Sequence, residues 1–179
     1  MKKIIILLLL LAVNYNSFAV SKEDKEKEIS YLLQIKNGND SDAMFDLGLL
    51  YDEQGKYDLA EKYYLMAVDQ ESDTGMYNLG LLYDNQKKYN LAEKYYLMAI
   101  KNNSSDAIFN LGLLYDEQEK YDLAEKYYLM GVKHNDSDSM YNLGVLYYNQ
   151  EKYQTAKNYF LMAEKFGNKE AAKILRENF

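Results

Sequence analysis

A block of 32 residues recurs along this chain. Gly48, Gly80, Gly112 and Gly144 mark one point in each copy. Ala60, Ala92, Ala124 and Ala156 mark a second, and Tyr64, Tyr96, Tyr128 and Phe160 a third. A fixed period of this length predicts a solenoid, in which each unit buries its apolar face only against its neighbours. Few other folds can follow such a repeat.

Within the period the pattern is helical. Met44, Leu47, Gly48 and Tyr51 fall at i, i+3, i+4 and i+7, and Ala60, Tyr63, Tyr64 and Ala67 repeat that spacing. Strand alternation is absent, and the chain contains no Pro to interrupt a helix. Four units result, 41–72, 73–104, 105–136 and 137–168, each an inner helix followed by an outer one. Residues 20–40 read as an opening half-unit: a charged, frayed or solvated start at 20–28, then a helix around Ile29–Ile35 closed by Gly38 and Asn39. Residues 169–179 read as a polar-faced capping helix.

Ser41-Asp42, Ser72-Asp73, Ser105-Asp106 and Ser137-Asp138 stand where inner helices should begin, as caps for unpaired N–H groups. Asp58 with Glu61, Asn90 with Glu93 and Asp122 with Glu125 have capping-box spacing at the outer helices. Gly inside a helix costs about 1 kcal/mol relative to Ala. Its recurrence predicts a close approach there, with Ala60, Ala67 and their copies as the facing small residues.

The first residues read as a secretory signal peptide, 1–19. Lys2 and Lys3 precede the apolar run Ile4–Val13, and Ser17-Phe18-Ala19 presents small residues for cleavage. The apolar run is short of the roughly 20 residues that a spanning helix needs. An exported chain, periplasmic or secreted, with no stable membrane insertion after cleavage is the expectation. Removing 1–19 takes away two Lys and leaves 19 basic against 28 acidic residues, a net charge of −9. Such a surface repels phosphate backbones and anionic lipid, so nucleic acid is a poor partner. With no Cys there is no disulfide, thiolate metal site or lipid attachment.

The run Tyr77-Asn78-Leu79-Gly80-Leu81-Leu82-Tyr83, with Tyr89, Ala92, Tyr96 and Ala99, resembles the tetratricopeptide repeat across residues 41–168. The joint between one outer helix and the next inner one, as in Ala163-Glu164-Lys165-Phe166-Gly167-Asn168, is two residues shorter and more similar to the Sel-one-like variant. The resemblance implies an all-α, right-handed α-solenoid of stacked antiparallel helix pairs, with inner helices lining a concave surface that binds a protein or peptide. Matching positions place Phe45, Tyr77, Phe109 and Tyr141 in one row and Leu49, Leu81, Leu113 and Val145 in a second. The third is Asp52, Asp84, Asp116 and Tyr148, flanked by Glu53, Asn85, Glu117 and Asn149. The Asn that often follows the aromatic residue in the family is present as Asn78, Asn110 and Asn142.

One feature comes from the residues directly. None of the stretches 41–54, 73–86, 105–118 and 137–150 contains Lys or Arg. The inner surface should therefore be acidic and aromatic, and its partner basic or neutral. Capping accounts for Asp42, Asp73, Asp106 and Asp138, but Asp52, Glu53, Asp84, Asp116 and Glu117 sit in last turns, against the helix dipole. Most Tyr residues, including Tyr51, Tyr63 and Tyr64, fall at core spacing. Asn39-Asp40-Ser41-Asp42 and Asn135-Asp136-Ser137-Asp138 look like calcium loops but lack the turn Gly and the distant Glu. A single His, His134, and no Cys leave the usual triads and zinc sites unassembled. No cofactor, metal or catalytic residue is expected. The function read here is a non-enzymatic binding scaffold. A self-associating structural protein is the alternative, and an envelope hydrolase of the Sel-one-like kind a third.

Overall fold

The computed structural model describes residues 21–179, so the signal-peptide expectation lies outside the described residues. Ten helices make up the described chain: α1 Lys22–Gly38, α2 Ser41–Glu53, α3 Tyr57–Asp69, α4 Asp73–Asn85, α5 Tyr89–Lys101, α6 Ser105–Glu117, α7 Tyr121–Lys133, α8 Ser137–Asn149, α9 Tyr153–Lys165 and α10 Lys169–Asn178. There is no strand among the described residues. The chain is an all-α solenoid of paired helices. It divides into two compact units, Met1–Gly75 and Met76–Phe179, each described by itself below.

Eight of the nine turns between the described helices share one design; after α1 the left-handed Asn39 instead donates its N–H to the Ile35 carbonyl. The inner helix α2 ends with Gly55 at φ 69°. The Gly55 N–H donates to the Asp52 carbonyl and the Lys56 N–H to the Tyr51 carbonyl, each at 2.8 Å. That pair of bonds is a Schellman motif, which needs a left-handed residue at its centre. Lys87, Glu119 and Glu151 hold this place in the later repeats, at φ 57°, 58° and 60°. The turns after outer helices are the same, with Glu71, Asn103, Asn135 and Gly167 left-handed. Glu and Lys gain nothing from such a backbone, so four of these eight turns are strained by about 1 kcal/mol each relative to Gly.

This turn corrects two expectations about caps. After Asn39, Asn103, Asn135 and Gly167 the next residue is extended and becomes the N-cap, so Asp40, Ser104, Asp136 and Asn168 cap α2, α6, α8 and α10. Three inner helices are thus capped one residue earlier than the Ser-Asp pairs suggest. Ser72 is in the expected place, its Oγ accepting the Gly75 N–H at 3.2 Å. The outer helices carry no capping box. Their N-caps are Lys56, Lys88, Lys120 and Lys152, none with a side-chain bond. Asp58 and Asp122 lie inside the first turn, favoured there only by the dipole. Glu93 and Glu125 reach the following repeat, where they accept the hydroxyls of Tyr115 and Tyr147.

The recurrent Gly is also explained differently from the expectation. A Cβ on Gly48 would stand 2.6 Å from the Tyr64 ring, and on Gly112 2.7 Å from that of Tyr128. Gly80 under Tyr96 and Gly144 under Phe160 repeat the contact. The Gly is bare because a buried aromatic ring lies on the helix, and the facing partner is large rather than small. Small residues meet instead at the joints between repeats. Gly75 lies against Ala67, and Gly131 faces Ser139 so closely that any Cβ would collide with the Ser side chain. Ala60, Ala67, Ala92, Ala99, Ala124, Ala156, Ala163 and Ala171 are all fully buried.

The ends depart from the repeat. The charged start of α1 is helical from Lys22, with a capping box between Ser21 and Asp24 and the i,i+4 pairs Lys22–Glu26 and Glu23–Lys27. Asn39 ends it in left-handed conformation. At the other end α10 buries Ala171 and packs Ile174 and Leu175 against Met140, Ala156, Phe160 and Ala163.

Candidate binding groove

At 100° per residue, the residues three, four and seven apart on an inner helix share a face. Phe45, Leu49 and Asp52 of α2 do so, and so do Tyr77, Leu81 and Asp84 of α4, Phe109, Leu113 and Asp116 of α6, and Tyr141, Val145 and Tyr148 of α8. All except Tyr148 are half-buried, and Tyr148 is exposed. Flanking them, Glu53 and Glu117 are exposed, while Asn78, Asn110 and Asn142 are half-buried. None of these side chains is lost in the core.

In the first unit, Phe45 stacks on Tyr64 with ring centroids 6.0 Å apart, and Tyr64 donates its hydroxyl to Asp52 Oδ2 at 3.5 Å. The second unit builds this arrangement twice more. Tyr77 lies against Tyr96 and Phe109 against Tyr128, at 6.3 and 6.4 Å. Tyr96 donates to Asp84 and Tyr128 to Asp116, each at 3.3 Å. The last-turn acids that oppose the helix dipole are therefore acceptors for buried hydroxyls. A buried O–H without an acceptor costs about 1–3 kcal/mol, more than the 0.3–1 kcal/mol of an unfavourable dipole. Sequence reading misses this pairing, although one signal is legible: where Tyr148 replaces the acid, Phe160 replaces the Tyr.

Burial raises the pKa of Asp52 and of Asp84, and the hydroxyl bond offsets part of it. Asp84 has a second cause, the negative charge of Glu117 on α6. Tyr64, Tyr96 and Tyr128 are pushed up by burial first and by their acids second. Asn110 bridges helices, its Nδ2 donating to the Tyr77 hydroxyl at 2.9 Å and to the Asp106 carbonyl at 3.0 Å.

Two hollows open on this face in the second unit. One of about 400 Å³ is lined by Tyr77, Ser105, Asp106, Phe109, Asn110, His134, Asp136 and Asp138. The other, about 200 Å³, is lined by Asp116, Tyr121, Val145, Leu146, Asn149 and Gln150. Neither has a Lys or Arg in its wall. Of the acids in the first, Asp136 caps α8 and Asp138 accepts from Asn168 Nδ2 at 2.9 Å. His134 is exposed and ends α7.

The basic side chains have places of their own. Tyr51 and Tyr63 stack at 5.6 Å, with Lys56 Nζ 5.4 Å from the first ring and Lys62 Nζ 5.0 Å from the second. Lys88-Tyr83-Tyr95-Lys94 and Lys120-Tyr115-Tyr127-Lys126 repeat the stack. A cation over a Tyr face gains roughly 0.5–1 kcal/mol at an exposed site. The first Lys of each stack follows the left-handed residue, where a Schellman motif ordinarily packs an apolar group. On its helix Tyr51 lies about 120° around from Phe45 at 100° per residue, so the cations are held off the Phe45 face. Lys126 and Lys133 line a separate hollow of about 570 Å³ on α7.

Among the described residues no group of His, Asp and Glu is arranged to hold a metal ion, and no helix is long and apolar enough to cross a membrane. The family model of the tetratricopeptide repeat matches residues 35–75, 45–107, 77–139 and 109–171. Among solved structures, the crystal structure of MamA is 24% identical with a TM-score of 0.67, covering 81% of this chain and 89% of that one. A Sel1 repeat protein from Oxalobacter formigenes is 23% identical with a TM-score of 0.66, covering 82% and 67%. Pseudomonas aeruginosa pilF is 20% identical with a TM-score of 0.66, covering 87% of both chains. These likenesses concern the fold. No curated protein matches the sequence.

Proposed function

We propose that this chain, which belongs to the tetratricopeptide-repeat family, is an exported scaffold that binds a protein or an extended peptide on its inner-helix face. Repeats of this family generally mediate protein–protein interaction and typically work without catalysis. The observation that carries the reading is the half-buried row Tyr77, Phe109 and Tyr141 beside hollows that no Lys or Arg enters. Aromatic rings supply contact area at low entropy cost, and carboxylates steer a basic or neutral segment into register.

Phe45, Leu49, Asp52 and Glu53 carry the same chemistry in the first unit. Asp52, Asp84 and Asp116 serve both purposes: one oxygen holds the tyrosine and the other is left for a partner. Export follows from the Lys2–Ala19 pattern, and the N-terminal residue of the protein recovered from its native envelope tests it: Val20 is expected and Met1 would refute it. For the groove, partners are captured on the mature chain and on a Phe109→Ala/Leu113→Arg variant. Helix content and thermal midpoint are checked on both. Loss of the captured protein from the variant is expected; equal recovery from a folded variant would remove the groove.

A further inference from the structure

In the second unit the valley between α4 and α6 is apolar along its middle and acidic at both ends. Leu81 and Leu113 occupy the middle, with Tyr77 and Phe109 next to them, all half-buried and with side-chain surface left over. At one end Asp106, Asp136 and Asp138 line the 400 Å³ hollow with those two rings. At the other, Asp84 and Glu117 occupy the last turns of the two helices. Asp84 is in the row of Tyr77 and Leu81, and Glu117 is one residue past the Asp116 that ends the row of Phe109 and Leu113. The Glu117 charge helps to raise the Asp84 carboxyl. Of this pair only Asp84 is offset, by the Tyr96 hydroxyl it accepts. Both acids sit in last turns, where the dipole disfavours them, and Glu117 is exposed with no hydroxyl to accept. Neither the fold nor the helix termini account for Glu117.

From the charge complementarity of this apolar valley we infer that its occupant is a segment of a partner protein with an apolar centre and a Lys or Arg at each side. This deepens the groove reading and rests on it. One cation enters the aromatic-walled hollow beside Asp106, and the other lies between Asp84 and Glu117. Asp106 and Glu117 are 11 residues apart on α6, about 16 Å along its axis. An extended segment rises about 3.3 Å per residue, so the cations stand about five residues apart. The Tyr77 and Phe109 rings beside the hollow favour Arg or Lys over a neutral side chain.

Calorimetric titration of the mature chain with three synthetic nonapeptides tests this. All share an apolar centre; the two positions five residues apart carry Lys, Gln or Glu. The Lys peptide is expected to bind about tenfold more tightly than the Gln peptide, and the Glu peptide not to bind. Glu117→Gln and Asp106→Asn should each weaken the Lys peptide and leave the Gln peptide unchanged. Equal affinity for Lys and Gln peptides, or no effect of Glu117→Gln, would overturn the inference. If those peptides still lose affinity on Phe109→Ala, the groove itself stands. Failure of all three peptides to bind would take both down together.

Discussion

The third and fourth repeats are one design executed with different polar contacts. In the third, Tyr128 lies buried on Gly112 and gives its hydroxyl to Asp116. In the fourth, Phe160 lies on Gly144, and the register position of the acid is Tyr148. Phe179 fills that space, with its ring 6.1 Å from both Tyr148 and Phe160. A second exchange accompanies the first. Tyr147 donates to Glu125 of the repeat before it at 2.7 Å, whereas the next residues in that register are Phe179 and Lys157, a cation 5.6 Å from a ring centroid. Hydroxyl and acceptor disappear together at both places. The acids of the inner helices are thus tied to the core wherever a tyrosine faces them, and the groove inherits its charge from that requirement.

The largest effect expected is that of alkaline pH. Burial and neighbouring carboxylates raise the tyrosines of the repeats, Tyr147 to about 12 and Tyr128 further. The unfolded chain ionises near pH 10 while the folded one resists, so stability is full below that value and falls as pH rises through the folded values. Thermal midpoints measured from pH 8 to 11.5 should drop steeply above 10. Tyr128→Phe should flatten that drop, whereas Phe160→Ala should not.

Adding a methyl group under the ring is next in size. Gly112→Ala and Gly144→Ala should each cost about 2–3 kcal/mol in denaturant unfolding, because a rigid ring cannot give way by the distance required. A loss confined to one repeat would show that the two are not built alike. Exchanging the hydroxyl is smaller. Tyr128→Phe should cost about 1–2 kcal/mol, and Phe160→Tyr about as much, since its hydroxyl would enter the space beside Phe179 without an acid. If Phe160→Tyr were stabilising, the pairing account would fail.

Smaller still is the joint at Gly131. The Ser139 Oγ is buried without a hydrogen-bond partner. Ser139→Ala should raise stability by about 1 kcal/mol and lessen the cost of Gly131→Ala by removing the hydroxyl, while the remaining Cβ keeps that substitution destabilising. Least of all, Glu119→Gly and Glu151→Gly should each stabilise by about 0.5–1 kcal/mol by relieving a left-handed backbone.

Much of this was readable from the residues. The period, the helix pairing and the short joints follow from spacing alone, because apolar positions at helical intervals dictate which faces meet. The groove positions come from a family likeness, and the structure places them together on inner helices within each unit. What spacing could not supply was direction. Glu93 and Glu125 fit a capping box by interval, yet the left-handed turn starts the helix at a point where that bond is not made, and their carboxylates go to the next repeat. Gly48 signalled a close approach, but only coordinates show that a ring makes it. Spacing shows that the lysines stay off the inner helices, but their seats over Tyr51, Tyr63 and the later copies depend on χ angles that periodicity does not fix.

The claim on which the account rests is that a partner lies on the inner-helix face and nowhere else. Backbone amide spectra of the mature chain, recorded with and without the captured partner, test it most directly. Shifts should concentrate at Tyr77, Leu81, Phe109, Leu113 and Tyr141 and leave the Tyr63, Tyr95 and Tyr127 series of the outer helices still. Shifts gathered on those outer helices, with the inner row unmoved, would contradict it.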